Sequence, residues 1–313
     1  MRVTFLGTSG AVPTTQRNTS ALFVNRDGDR LLFDCGEGTQ RQMMRFGTGF
    51  AVDHVFVTHL HGDHVLGIPG LIQTFDFNDR EEPLAIHAPN GTRGQIEDLV
   101  HAGGNDPAFP VRVHQIGPGD TVLDRSAYEI SAFRTDHRTQ SVGYALVEDD
   151  RKGRFDRETA ENDLGLPPGP EYSKLHRGEA VEHEGRTIEP EEVVGPPRPG
   201  RKLVYTGDTR PTDSVVDAAA NADLLVHDAT FASDWAGRAQ ETAHSTAGEA
   251  ASIADQANAK RLALTHISTR YAGDHTPIER EAREHFDGEA WVPDDGERLE
   301  VPFPDADEDA DGE

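Results

Sequence analysis

Cysteine is almost absent from this sequence. Cys35 stands alone, so the chain can close no internal disulfide and cannot hold a metal through a cluster of thiolates. Histidine, aspartate and glutamate must supply any ligands. Long apolar runs are lacking as well. No stretch approaches the roughly 18 residues of a membrane span, and Met1-Arg2-Val3-Thr4-Phe5-Leu6-Gly7 lacks the apolar length and small-residue cleavage site of a signal peptide. A cytoplasmic protein with no membrane partner is expected. Positive charge is the third shortage: 30 basic side chains face 56 acidic ones, a formal charge of −26. Nucleic-acid binders ordinarily carry a basic footprint. Acidity scattered along a whole chain has another source, molar salt inside the cell, where an acidic surface keeps protein soluble and self-repulsion is screened within about 3 Å. The scatter favours this halophilic explanation.

What is present reads as α/β. The 313 residues are enough for a sizeable core. Strand-like runs recur at Val3–Leu6, Ala21–Val24, Leu31–Phe33, Val55–Val57, Leu84–His87, Val111–Ile116, Glu129–Phe133 and Val142–Val147. Arg26-Asp27-Gly28-Asp29 between two of them predicts a tight hairpin, since Asp-Gly supplies the positive φ such turns need. After Val147 the composition turns charged and proline-rich, through Leu164-Gly165-Leu166-Pro167-Pro168-Gly169-Pro170 to Gly195-Pro196-Pro197-Arg198-Pro199-Gly200. A long stretch with little secondary structure is functional or disordered more often than merely connecting. It is read as a protruding arm over 149–200, inserted into a catalytic domain spanning 1–304. From Arg201 strands return at Lys202–Tyr205, Asp223–Val226 and Arg261–Leu264. Between the last two, Thr246–Ala257 opens with a Thr-x-x-Glu capping box and predicts a helix. The acidic block 305–313 is expected to be a disordered, solvating tail.

The stretch with the most chemistry is Thr58-His59-Leu60-His61-Gly62-Asp63-His64, directly after Val55-Phe56-Val57. Alternate strand residues point to opposite faces, so four donors this close cannot all reach one ion; two adjacent cations are the simpler reading. A pair about 3.5–4 Å apart suits phosphodiester hydrolysis, because it clamps attacking and leaving oxygens together. Further donors stand where strands end, the usual place for sites in α/β sheets. His137 follows Glu129–Phe133, Asp208 follows Leu203-Val204-Tyr205-Thr206-Gly207, and His266 ends Leu262-Ala263-Leu264-Thr265. Asp208, placed between two cations, would bridge them. Seven nitrogen and oxygen donors without a thiolate suit zinc better than magnesium; manganese and iron stay open.

These residues resemble the metallo-β-lactamase superfamily and, within it, the short-form ribonuclease Z family of tRNA 3′-processing endonucleases. His-x-His-x-Asp-His is common to many superfamily hydrolases. The narrower likeness rests on Phe5-Leu6-Gly7-Thr8-Ser9-Gly10, Pro13, Arg17-Asn18-Thr19-Ser20, Asp34-Cys35-Gly36-Glu37-Gly38-Thr39-Gln40, His137-Arg138, Gly207-Asp208-Thr209-Arg210, His244-Ser245-Thr246 and Thr265-His266-Ile267-Ser268-Thr269-Arg270-Tyr271. Gly165-Leu166-Pro167-Pro168-Gly169-Pro170, with Leu175 and Gly178, resembles the glycine-proline exosite with which family members grip tRNA. Two departures stand out. The family's His-Glu-Ala-Thr is His227-Asp228-Ala229-Thr230 here, one methylene shorter, and the arm, usually basic, carries many acids.

The resemblance implies an αβ/βα four-layer sandwich of two mixed sheets flanked by helices, carrying an exosite arm. It implies two Zn2+ per subunit, one on His59, His61 and His137, the other on Asp63, His64 and His266, bridged by Asp208. Asp63 would also serve as base, and His244, oriented by Asp228, as general acid. Precursor tRNA would be cut by hydrolysis to leave a 3′-hydroxyl on tRNA and a 5′-phosphate on the trailer. Arg17, Asn18, Gly169, Pro170, Lys174 and Arg177 would contact RNA. Arg151, Lys152, Arg154, Arg157 and His176 complete the arm's cationic set. A homodimer in which one subunit's arm serves the other's site is also implied. Two other readings compete: a hydrolase of small phosphodiesters or other esters on the same fold, and a non-catalytic RNA-binding subunit. His87, His101, His114, His183, His275 and His285 match no ligand position and are read as surface or turn residues.

Overall fold

The computed structural model describes residues 1–104 and 106–305. Chain from Met1 builds an antiparallel meander and then a parallel run: β1 (Arg2–Gly7), β2 (Ala21–Arg26), β3 (Asp29–Phe33), β4 (His54–Phe56), β5 (Leu84–Pro89) and β6 (Val111–Ile116). The β2–β3 turn is the expected hairpin, with Asp27 at φ 50 and Gly28 at φ 105 and Arg26 paired to Asp29. A second sheet takes β7 (Thr121–Arg125), β8 (Tyr128–Arg134) and β9 (Val142–Glu148). The chain then forms a separate hairpin, β10 (Val181–His183) and β11 (Arg186–Ile188). It rejoins the second sheet with β12 (Lys202–Tyr205), β13 (Leu224–Asp228), β14 (Arg261–Thr265) and β15 (Glu289–Trp291). Last, β16 (Arg298–Glu300) returns to pair with β1. Among the described residues the two large sheets have seven strands each and are mixed, with order β16-β1-β2-β3-β4-β5-β6 in one and β15-β14-β13-β12-β9-β8-β7 in the other.

Pleat decides which residues meet. In β4 and its continuation Phe56 faces inward while Val55 and Val57 face outward; in β12 Leu203 and Tyr205 face inward and Val204 outward. Inner side chains of the two sheets pack on each other: Phe5, Leu22, Phe33 and Phe56 from the first meet Ile130, Tyr144, Leu203, Tyr205 and Val226 from the second. Helices Thr39–Phe46, Ile68–Phe77 and Arg93–His101 cover the outer face of the first sheet through Met43, Leu71, Phe75 and Ile96. Helices Asp213–Ala219, Ala247–Gln256 and Thr276–His285 cover the other through Val215, Ile253 and Ile278. Four layers result, and strands buried on both faces explain why the apolar runs hardly alternate. The expected capping box is formed, with Thr246 Oγ1 accepting from Glu249 N at 3.2 Å and Glu249 Oε2 accepting from Thr246 N at 2.8 Å.

By internal contacts the chain divides into Met1–Val147 with Arg201–Pro302, and Glu148–Gly200 with Phe303, Pro304 and Asp305 among the described residues. The second unit has more structure than its sequence suggests. It carries the β10–β11 hairpin, the helix Pro170–His176 and a small core of Ala160, Leu166, Leu175, Val181, Ile188 and Val193. Those apolar residues are spaced too widely to make a periodic run, which is why they read as linker. Residues 306–313, most of the expected tail, lie outside the described residues; Asp305 is held by arginines.

Candidate metal centre

Strand ends of both sheets deliver the donors. His59 and His61 follow β4, and the short helix Gly62–Val65 turns Asp63 and His64 back toward them. His137 follows β8, Asp208 follows β12 and His266 follows β14. Among the described residues their polar atoms form two groups, His59, His61, His137 and Asp208 in one and Asp63, His64 and His266 in the other, and a third, Asp208, Asp228, His244 and His266, shares a member with each. In the first, His61 Nδ1 lies 3.0 Å from His59 Nε2 and 3.2 Å from His137 Nε2. In the second, Asp63 Oδ2 lies 3.1 Å from His266 Nε2 and 3.6 Å from His64 Nε2. Asp208 spans both: Oδ2 is 3.4 Å from His59 Nε2 and 3.3 Å from His266 Nε2, and Oδ1 is 3.3 Å from His64 Nε2.

The outer nitrogens of four rings are already committed, so which lone pair faces inward is fixed. His64 Nδ1 meets Asp34 Oδ2 at 2.7 Å, His137 Nδ1 meets Ala243 O at 2.8 Å, His266 Nδ1 meets Thr230 Oγ1 at 2.8 Å and His59 Nδ1 meets Thr58 Oγ1 at 3.0 Å. Every inward nitrogen is then an acceptor facing other acceptors. Among the described residues, His64 Nε2 and Asp208 Oδ1 are buried with no hydrogen-bond partner. Buried polar atoms without partners are costly, and a converging set of lone pairs and carboxylates fits divalent cations.

Electrostatics points the same way. Burial, helped by His64, holds His59 well below the ordinary histidine range, and burial lowers His61 and His137 as well; neutral imidazole is the ligand form. Burial also opposes a charge on His64, but Asp208 and Asp34 outweigh it and raise its pKa. The carboxylates of this site therefore draw positive charge into it.

Beside the cluster stands a second pair. His244 Nδ1 lies 2.9 Å from Asp228 Oδ2, and its ring stacks on His266 with centroids 4.8 Å apart. Burial disfavours the imidazolium, yet the Asp228 carboxylate prevails and lifts the His244 pKa to about 9. Asp228 also accepts from Thr209 N at 3.1 Å and Thr230 N at 3.0 Å. The shorter Asp needs no intervening water. Arg210 fixes the loop, donating to His244 O at 2.6 Å and to Glu249 Oε2 at 2.8 Å.

Asp34 was legible only as part of a longer motif. It lies buried beneath the cluster, accepting from Thr58 N at 2.8 Å, Tyr205 OH at 2.9 Å and the His64 ring. The available signal was position: Asp34 ends β3 much as Asp208 ends β12. Arg17, expected to contact RNA, is buried, its guanidinium donating to Thr8 Oγ1, Pro293 O and Asp294 Oδ1 at 2.6–2.9 Å. It ties a loop beside the cluster instead of offering charge. Asn18 donates to Glu37 O at 2.7 Å. In the other unit Gly169 caps the helix that Pro170 opens; Lys174 is exposed on it, and Arg177 follows, paired to Glu179 at 2.8 Å. His87 is no surface residue: it is buried in β5, between the rings of His54 and His114.

Two facing mixed sheets with helices outside, and a histidine–aspartate cluster at their strand ends, define a protein of the metallo-β-lactamase fold. The model of the "Beta-lactamase superfamily domain" family matches residues 186–267, and that of the "Anti-Pycsar protein Apyc1" family matches residues 1–151. Ribonuclease Z of Haloarcula marismortui is 70% identical over 308 residues, 98% of this chain and 99% of that protein. Ribonuclease Z of Haloferax volcanii is 65% identical, covering 98% and 97%. Human short-form tRNase Z is 29% identical with a TM-score of 0.70, covering 97% of this chain and 100% of that one. The chain belongs to the ribonuclease Z family.

Proposed function

We propose that this protein is the endoribonuclease that removes the 3′ trailer from precursor tRNA. The observation that carries the reading is 70% identity to ribonuclease Z over 98% of the chain, and the adjacent donor groups at the strand ends support it. His59, His61 and His137 would hold one cation, Asp63, His64 and His266 a second, with Asp208 between them; zinc suits the donors best, and manganese or iron are the alternatives. Such a pair supplies Lewis acidity and lowers the pKa of bound water. Asp63, its Oδ2 accepting from Ala11 N at 2.7 Å, stays ionised: burial raises its pKa, but His266, 3.1 Å away, and His64 hold it below the carboxylate range. It accepts the proton of the attacking water. His244, charged through Asp228, gives a proton to the departing ribose 3′ oxygen. The P–O3′ bond breaks, leaving a 3′-hydroxyl on tRNA and a 5′-phosphate on the trailer.

The protein acts in the cytoplasm as a homodimer, and its acidic surface suits molar salt. No helix among the described residues is long and apolar enough to cross a membrane. The test is cleavage of a 3′-extended precursor tRNA at molar salt, with and without chelator, followed by end-group analysis. A 2′,3′-cyclic phosphate, or cleavage that survives complete metal removal, would sink the mechanism. Faster turnover of small phosphodiester dyes with no cut in precursor tRNA would point to the generic hydrolase. Light scattering of the purified protein reads the dimer.

A further inference from the structure

Within the second unit a backbone bridge ties the two ends of the arm together. Arg151 N donates to Arg198 O at 2.7 Å and Arg198 N to Arg151 O at 2.8 Å. Two guanidinium groups are thereby brought to one place, and Asp305 sits between them. Its Oδ1 pairs with Arg151 Nη2, and its Oδ2 lies 3.3 Å from Arg198 Nη1 and 3.9 Å from Arg154 Nη2. Phe303 covers the Arg151 guanidinium, 3.7 Å from ring centroid to Cζ. The Asp305 side chain is only 10% exposed. Three arginines around one oxyanion is the arrangement that holds a phosphate. In a chain of net charge −26 it is an unusual concentration of positive charge. Asp305 also opens the acidic run Asp305-Ala306-Asp307-Glu308-Asp309-Ala310-Asp311-Gly312-Glu313.

We propose that the Arg151, Arg154 and Arg198 cradle binds a phosphate of the RNA backbone, and that the acidic C-terminal segment, anchored at Asp305, competes for it as a built-in polyanion. The identity of the phosphate's bearer rests on the RNA-processing reading above. A tethered competitor acts at an effective concentration in the millimolar range, so it prevails where salt is low. At molar salt, with a screening length of about 3 Å, its charge advantage disappears. Because RNA must displace protein carboxylates as well as release counterions, binding by the intact chain falls less steeply with salt than its arginines alone would dictate.

The test compares the intact chain, a chain ending at Pro304 and the D305N variant, each metal-loaded. Binding of mature and 3′-extended tRNA is titrated from about 0.1 M to about 2 M KCl. Expected at the low end is roughly tenfold tighter binding by the shortened chain, a smaller gain for D305N, a steeper salt slope, and convergence at molar salt. Adding R151A and R198A to the shortened chain abolishes the gain. Equal affinity and slope for intact and shortened chains overturns the proposal, and so does a gain that survives R151A and R198A. Hydrolysis of bis(p-nitrophenyl) phosphate by the chain ending at Pro304 matches that of the intact chain, and thermal melts check the folding of every variant. If tRNA is bound as described but precursor is never cut, the processing function fails while the cradle stands.

Discussion

One strand carries histidines at both ends, and the two groups behave differently. After the C-terminal end of β4, His59, His61 and His64 join His137 and His266 around Asp208 and Asp63. At its start, His54 joins His87 and His114 of the neighbouring parallel strands, ring centroids 5.3 and 5.1 Å apart and ring planes within 23° of parallel. The second row has a definite proton order. Arg125 donates to His54 Nε2 at 3.1 Å, so His54 Nδ1 donates to His87 Nε2 at 3.0 Å. His87 Nδ1 is left as a buried donor without a partner among the described residues. Faces stack, no carboxylate among the described residues pairs with a ring of this row, and burial together with His54 and His114 pushes His87 down to about 3. What distinguishes the donor cluster is therefore the carboxylate between the rings and the acceptor behind four of them, and not the density of histidine.

Removing the carboxylate shared by both groups has the largest expected effect. Asp208→Ala should lower cleavage by on the order of 10³-fold or more, since several kcal/mol of charge stabilisation go with the metals. Metal analysis should show loss of bound ion, while a gel-shift titration shows precursor binding within a few-fold of the parent. His244→Ala should cost about 10²–10⁴-fold in rate with metal retained. The acid works protonated, so the rate falls as pH rises through its pKa, near 9. Asp228→Asn should move that descending limb toward the ordinary histidine range; an unmoved limb would remove His244 from the mechanism. Asp34→Asn sharpens the point about what lies behind a ring. It should weaken metal affinity by about 10–100-fold in competition with a chelator, with a smaller effect on the melt of the metal-loaded protein. His87→Leu has the least effect: activity unchanged and stability at pH 7 within about 1 kcal/mol. His87 is depressed in the folded state, so its contribution is intact above the unfolded value of 6.5 and erodes as pH falls toward about 3. The variant should accordingly lose less stability than the parent across that window in acid titration.

Much of this was legible because it is local. Strand runs with two buried faces announce themselves in composition, and a strand followed by closely spaced donors announces a site. Short edge strands such as β15, β16 and β7 were not legible, since their pairing partners are far away in sequence and supply most of their ordering. Asp34 and Arg17 show the same limit at the site. One is a carboxylate aimed at the back of a ring and the other a cation spent on a hydroxyl, a carbonyl and a carboxylate, and only the tertiary packing shows these uses. His87 misled because a histidine in an apolar run looks like a strand end; stacking on Phe56, centroids 4.9 Å apart, is what makes it core.

The spread of the donors along the chain has a consequence in time. A ribosome releases residues from the N-terminus onward, so the His59–His64 segment emerges first, Asp208 follows only after the 149–200 segment and His266 comes later still. An unfinished chain holds half a centre and cannot assemble the rest. Until His266 is out, the nascent chain therefore lacks one member of the Asp63, His64 and His266 group.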